Sequence, residues 1–300
     1  MYSERKVNRS MTQWIPLGSR VVLLACLLCW TIGNTGEAAD KIPAILMVRD
    51  VLTLPNHSVG IEAQLTGKPS PGASPWGGVA LHLHIDGKRI ATRKTNEGGQ
   101  AVFDYLPKMR GTYVITVLVD ESASVAAEKR DATLCVWERR RPILLVEMAA
   151  LIQSNGSPSA PAASPSAGTA LESSAQAVPD AAEELSRLAQ YYYNIVYVPG
   201  GEQSSGETAS IGDMRRWLEI NKFTPGFVVM PETGGLSAAL ETFKQGGWIT
   251  MKSGIGRTRS FAETLLQHRM EVVVVPELPK GELPRKAKVA KEWKEVRKKL

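Results

Sequence analysis

The sequence is poor in the side chains that make disulfides and metal centres: 300 residues include three cysteines and four histidines. Two of the cysteines, Cys26 and Cys29, fall in one apolar run near the N-terminus, which leaves Cys135 for the rest of the chain. A chain cut after that run has no intramolecular disulfide available, so each core must stand on apolar packing. Cys135 itself sits in the alternating segment ATLCVWE and reads as a buried strand residue. Aromatics make up 6%. The apolar run, VVLLACLLCWTIG over residues 21–33, falls short of the roughly 18 residues that cross a bilayer, and no later stretch reads as a span. An excess of charge of either sign is lacking outside the tail. The formal net charge is +6, and residues 280–300, with nine Lys or Arg and three Glu, account for all of it. A balanced remainder argues against a broad nucleic-acid-binding face, and no nucleic-acid partner is expected.

What is present is ordinary globular composition, 43% hydrophobic and 22% charged, at a length that suits about two domains. Arg5, Lys6, Arg9 and Arg20 precede the apolar run and small residues, Gly36 and Ala38, follow it. This is the pattern of a secretory signal over residues 1–39, and it predicts an exported protein, periplasmic or extracellular, or envelope-associated if the segment is retained.

From Ile45 to Glu138 short alternating runs are separated by turn residues: ILMVRDVL, SVGIEAQL, VALHLHIDG, QAVFDYL, GTYVITVLVD and ATLCVWE. Val59, Ile61, Ala63 and Leu65 share one face of the second run, and Tyr113, Ile115, Val117 and Val119 share one face of the fifth. Period-two alternation at this spacing predicts an antiparallel β-sandwich over residues 40–139, with a hairpin at Asp86-Gly87. His82 and His84 share a strand face opposite Leu81, Leu83 and Ile85. Two imidazoles could share a metal ion, but no third ligand is suggested and His57 lies in another loop, so the pair reads as a sheet face and no metal is predicted. The stretch IDGKRIATRKTNEGGQAVFDYL followed by GTYVITV resembles bacterial immunoglobulin-like domains.

After Arg139, Arg140, Arg141 and Pro142 the pattern changes. ILLVEMAALI reads as a central parallel strand, and a Ser/Ala/Pro/Gly-rich insertion over residues 153–180 reads as a disordered loop. AAEELSRLAQYYY, IGDMRRWLEINK, LSAALETFKQ and SFAETLLQHR then read as helices alternating with the strands NIVYVPG, GFVVMPE, WITMKSGIG and MEVVVVPE. That order predicts a doubly wound parallel-sheet α/β domain over residues 140–283, with its crevice at the carboxyl ends of the strands. Tyr191, Tyr192 and Tyr193 read as partly buried packing residues. Residues 284–300 form a basic amphipathic helix, with Val289, Trp293, Val296 and Leu300 opposite Lys288, Lys291, Lys294, Arg297 and Lys298. It would either pack on the preceding domain or lie on an anionic surface.

The succession ILLVEMAALI, YYYNIVYV, MRRWLEINKFTPG, ETFK and GIGRTRSFAETLLQHRMEVVVV, closed by Pro279, Lys280, Gly281, Glu282 and Leu283, resembles the haloacid dehalogenase superfamily, nearest its lipin-type phosphatidate phosphatase branch. The resemblance implies an Asp nucleophile and an Asp acid/base on the first strand, a Ser or Thr after the second, a Lys, and an acidic Mg²⁺ pair. Here those positions hold Glu147, Ala149, Pro199, Lys244, Arg257 and Phe261. Lys244 is the one match, and Glu147 is a methylene too long for the attacking carboxylate. The resemblance therefore implies a degenerate, non-catalytic phosphatase-like domain without a cofactor, acting by binding an unknown protein or anionic ligand. Gly200, Gly201 and Arg257 are the candidate anion-binding residues. Two alternatives stand. One is a divergent Mg²⁺-dependent phosphatase using Glu147 and Lys244 with acids such as Asp213 or Glu202. The other is an envelope-associated interaction protein held by its basic tail.

Overall fold

The computed structural model describes residues 41–67, 76–153, 175–200, 211–229, 234–279 and 281–300. The expected signal segment, most of the insertion, Gly201, Glu202 and Lys280 lie outside them. Lys41–Leu300 forms one compact unit.

Its first part carries strands β1 (Ile42–Pro43), β2 (Ile45–Val48), β3 (Val51–Thr53), β4 (Val59–Thr66), β5 (Ala80–Ile85), β6 (Lys88–Lys94), β7 (Gln100–Tyr105), β8 (Gly111–Val119), β9 (Val125–Ala126) and β10 (Arg130–Val136). One sheet has the order β2-β4-β7 and the other β3-β10-β8-β5-β6, with β1 and β9 forming a small separate pair. The expected run ILMVRDVL is therefore two strands, broken at Arg49-Asp50, where the chain leaves one sheet and joins the other. Period-two alternation sends Ile61, Ala63 and Leu65 of β4 into a core shared with Leu81, Leu83, Phe103, Ile115 and Val117. Asp86 and Gly87 both have positive φ (47° and 77°), as the hairpin turn between β5 and β6 requires. Near the start of β8 the Tyr113 hydroxyl donates to the Met109 carbonyl at 3.0 Å. A tyrosine tied back to upstream backbone at that corner is a mark of immunoglobulin-type sandwiches.

The second part is a six-stranded sheet of parallel neighbours, ordered β13-β12-β11-β14-β15-β16. Its strands are β11 (Ile143–Glu147), β12 (Asn194–Val198), β13 (Phe227–Val228), β14 (Met251–Gly256), β15 (Glu271–Val274) and β16 (Lys288–Val289). The helices are α1 (Ala181–Tyr191), α2 (Ile211–Ile220), α3 (Gly235–Gln245), α4 (Arg259–Gln267) and α5 (Trp293–Lys299). Leu144 and Val146 of β11 face a cluster with α1, α2 and α5, whereas Ile143 and Leu145 face one with α3 and α4. This is the doubly wound arrangement, with the first strand at the centre of the sheet.

Three expectations are corrected. The strand in ILLVEMAALI stops at Glu147, and Met148–Ala150 turns into a single 3₁₀ turn. The tail is not one helix beyond the domain: Val289 belongs to β16, paired with Val274, and the helix begins at Trp293. Trp293 and Val296 are buried, and the Trp293 indole N–H donates to the Ala150 carbonyl at 3.2 Å, so the α/β domain runs to the end of the chain and that apolar stripe is spent inward. Finally, Tyr191 and Tyr192, at 67% and 56% exposure, are surface residues, because α1 ends between them and turns both rings outward.

The two parts share a seam. On β10, Leu134 and Val136 enter the sandwich core, while Cys135 and, just beyond the strand, Trp137 enter the cluster on the α3/α4 face of the parallel sheet. Burial pushes the Cys135 thiol well above its usual pKa, as suits a packing residue rather than a nucleophile. Asp50, at the sheet switch, ties the same seam. Its carboxylate accepts from the Thr133 backbone N–H (2.5 Å), from Arg215 of α2 and from the Val228 N–H on edge strand β13 (2.8 Å).

Candidate functional site

A doubly wound sheet offers a crevice at the carboxyl ends of its strands, and the residues singled out from sequence can be followed there. Glu147 is the last residue of β11, paired with Val198 of β12, and is 2% exposed. Its Oε2 accepts from the backbone N–H groups of Arg257 (2.7 Å) and Thr258 (2.9 Å), and its Oε1 accepts from the Thr258 hydroxyl (2.5 Å). These donors belong to the turn between β14 and α4, where Thr258 is the N-cap residue. The extra methylene of glutamate is what reaches across to that turn. Gly256 permits the approach: a Cβ there would lie 2.9 Å from Glu147 Oε2 and 2.2 Å from the Phe261 ring. Burial raises the Glu147 pKa above its usual value, and the three hydrogen bonds and the Arg257 charge oppose the shift.

A pair of backbone N–H groups ahead of a helix is where a doubly wound fold holds a phosphate. Here that pair holds a carboxylate from the protein itself. Arg257 points its guanidinium elsewhere, with Nη1 donating to the Ile152 carbonyl at 3.2 Å. Burial lowers its pKa, against a smaller opposite pull from Glu147. Gly200 brings the end of β12 against the 3₁₀ turn, so that a Cβ on it would sit 3.0 Å from that of Ala149. Glu147, Gly200 and Arg257 therefore converge on three adjacent strand ends.

Lys244 does not join them. Its Nζ contacts Glu241 Oε1 (2.8 Å) and His268 Nδ1 (3.0 Å). His268 closes α4 at its C-terminal end, whereas Glu147 grips the turn ahead of its N-terminus. Nine helical residues, about 13 Å at 1.5 Å per residue, lie between those ends. Of the other acids considered, Asp213 lies in the first turn of α2.

The described residues at these strand ends do not suit Mg²⁺. A hard cation needs several oxygen ligands, yet the expected acidic positions carry the Arg257 cation and the buried Phe261 ring, and the Glu147 carboxylate is occupied by N–H and O–H donors. Among the described residues no three His, Cys, Asp or Glu side chains cluster as a metal site would require. His82 and His84 also part company. His82 is buried against Thr92, Arg89 and Asp120, its Nε2 2.7 Å from the Asp120 carboxylate, while His84 Nδ1 lies 3.4 Å from the Gly87 carbonyl. The register of β5 against β6 shifts between Leu83 and His84.

Sequence reasoning missed Asp50 and the polar residues of the seam. The available signal was the charged pair Arg49-Asp50 inside an otherwise apolar run, which marks a break rather than a strand.

No protein-family model and no curated protein matches the chain. Among solved structures, the CARDB domain of a Pyrococcus furiosus protein is similar at 18% identity, over 32% of this chain and 93% of that one, with a TM-score of 0.24. The fibronectin(III)-like modules of Clostridium thermocellum CbhA match at 16% identity, over 30% and 94%, with a TM-score of 0.22. The PKD domain of human KIAA0319 matches at 14%, over 35% and 88%, with a TM-score of 0.23. The sandwich assignment rests on strand order and on the Tyr113 corner.

Proposed function

We propose that the protein is exported and acts by binding, with an immunoglobulin-like sandwich joined to a haloacid dehalogenase-like α/β domain that has lost phosphoryl transfer. The observation that carries this reading is the state of Glu147. A nucleophilic carboxylate must offer a free oxygen to phosphorus and stand beside a proton-transfer group and a metal. Glu147 is buried, engaged by three donors, flanked by Ala149 and Arg257, and held at the end of α4 remote from the end that Lys244 contacts. The sequence pattern of residues 1–39 supports export.

The test is Mg²⁺-dependent phosphate release by the purified protein, from an aryl phosphate and from phosphatidate, beside the Glu147→Gln variant. Both proteins are expected to release phosphate at the rate of the blank. Turnover by the native chain that disappears in the variant would overturn the reading.

A further inference from the structure

Helices α3 and α4 share one apolar cluster, to which they contribute Leu240, Phe243, Phe261 and Leu265. Ser237, Glu241 and Lys244 follow one another at i, i+4 and i+7 of α3, the spacing that sets side chains along one stripe of a helix. His268, the residue that closes α4, meets that stripe. Its Nε2 lies 2.7 Å from the Ser237 Oγ, and its Nδ1 lies 3.2 Å from Glu241 Oε1. Hydroxyl, imidazole and carboxylate are thus joined in the order that activates a nucleophile, with the serine on one ring nitrogen and the acid on the other. The side chains stand on helices rather than loops, and that of His268 is only 11% exposed, so packing holds the base in place.

The charges beside the ring decide where its proton sits. Lys244 Nζ stands 3.0 Å from the same Nδ1 but 2.8 Å from Glu241 Oε1, and an ammonium donates more strongly to a carboxylate than to a neutral acceptor. The Lys244 hydrogen bond is the main cause that holds the Glu241 pKa below the usual carboxylate value, and the Lys244 and His268 charges add to it. An ionised Glu241 takes the Nδ1–H, which leaves Nε2 to accept the Ser237 proton. Ser237 is exposed and is the third residue of α3, among first-turn backbone N–H groups that have no intrahelical partner and no side-chain cap. Donors at the positive end of a helix suit the oxyanion that forms when a hydroxyl adds to a carbonyl.

We infer that Ser237, His268 and Glu241 form an acyl-transfer site that hydrolyses small carboxylic esters. Ser237 and His268 are its catalytic residues, and Glu241 is the positioning residue. The Ser237 Oγ bonds to the ester carbonyl carbon as its proton passes to His268 Nε2. The bond from that carbon to the alkoxide then breaks, and the proton leaves with the alcohol. A water molecule repeats the sequence on the acyl-serine: it gives one proton to Nε2 and adds as hydroxyl, the acid departs, and the serine oxygen regains the proton. Esters fit the site better than amides because the Glu241 side chain is 51% exposed. A carboxylate in contact with water stabilises an imidazolium less than a buried one does, so the leaving group must depart easily. The site lies at the far end of α4 from the turn that Glu147 closes, and acyl transfer there is independent of phosphoryl transfer at the strand ends.

The experiment follows nitrophenol release from p-nitrophenyl acetate by the purified protein, with mass spectrometry of the fluorophosphonate-treated chain to find the labelled residue. Sustained turnover and a label on Ser237 are expected. Ser237→Ala should lose both and keep the fold, since the residue is exposed and alanine suits a helix. His268→Gln should slow turnover about 100-fold or more, the worth of a general base. Glu241→Gln should lower kcat with little change in KM, as expected of a group that orients the base rather than the ester. No turnover above the blank, a label elsewhere than on Ser237, or turnover by Ser237→Ala at the native rate would each overturn the proposal. Acetylation of Lys244 without turnover would do so as well, because the lysine alone would then be the reactive group. Should a variant misfold, the position of the label on the native chain decides.

Discussion

The two edges of the parallel sheet treat buried polar groups in opposite ways. At the carboxyl edge the Glu147 carboxylate is met by three donors, and the turn that could have cradled a ligand is closed by the protein's own anion. At the amino edge Asn194 is also buried, yet its amide nitrogen meets no acceptor among the described residues. A saturated network rigidifies, whereas an open one costs stability unless something fills it. The turn where the fold class ordinarily binds its ligand is thus saturated here, and the opposite edge keeps an unmatched donor. The seam holds a saturated group of its own in Asp50, so the contrast concerns hydrogen-bond completion rather than location.

Removing a saturated group should cost the most. Asp50→Ala strands the Arg215 charge, whose Nε already has no partner among the described residues, together with two backbone N–H groups. Breaking a buried ion pair from one side costs about 3–5 kcal/mol. Urea unfolding should show that loss. A loss below about 1 kcal/mol would mean that the seam is not locked by Asp50. Glu147→Ala comes next, leaving the Arg257 and Thr258 N–H groups unmatched for about 2–4 kcal/mol. Glu147→Gln should cost far less, because its carbonyl can still accept from both N–H groups while its amide donates to Thr258 Oγ1.

That carboxyl also predicts a pH dependence. Its folded pKa lies above the unfolded value of about 4.5 because burial disfavours the charge. The folded state therefore keeps a proton that the unfolded state has released. The contribution is fully present below pH 4.5 and is lost as pH rises through the folded pKa, so stability falls across that window. Urea midpoints measured upward from pH 4 should decline more steeply in the native chain than in Glu147→Gln. Equal slopes would place the carboxyl in water rather than in the closed turn.

Much of this arrangement is legible in the residues. Alternation along SVGIEAQL and GTYVITVLVD specifies the sandwich faces, and continuous apolar runs such as MEVVVV specify parallel strands buried on both sides. What escapes is whatever depends on partners distant in sequence. Asp50 meets Arg215 and Val228 across more than 160 residues, and nothing local marks it except the break it makes in a strand. β16 is a two-residue strand, too short for periodicity to reveal, so Val289 reads as one turn of a helix that begins only at Trp293. Glu147 is visible in sequence as a departure from a pattern. That it closes the crevice requires knowing that Gly256 lets it reach the N-terminal turn of α4.

The smallest expected effect bears most directly on the contrast between the edges, because its sign is reversed. Substituting a satisfied polar residue destabilises, but removing a buried donor that has no acceptor relieves a desolvation cost. Asn194→Val should therefore raise stability, by about 1 kcal/mol, with some help from the strand preference of a β-branched residue at the start of β12. Thermal or urea unfolding measures it. A loss would show that the Asn194 amide is already satisfied within the fold. The two edges would then be alike, each closed by the protein's own groups.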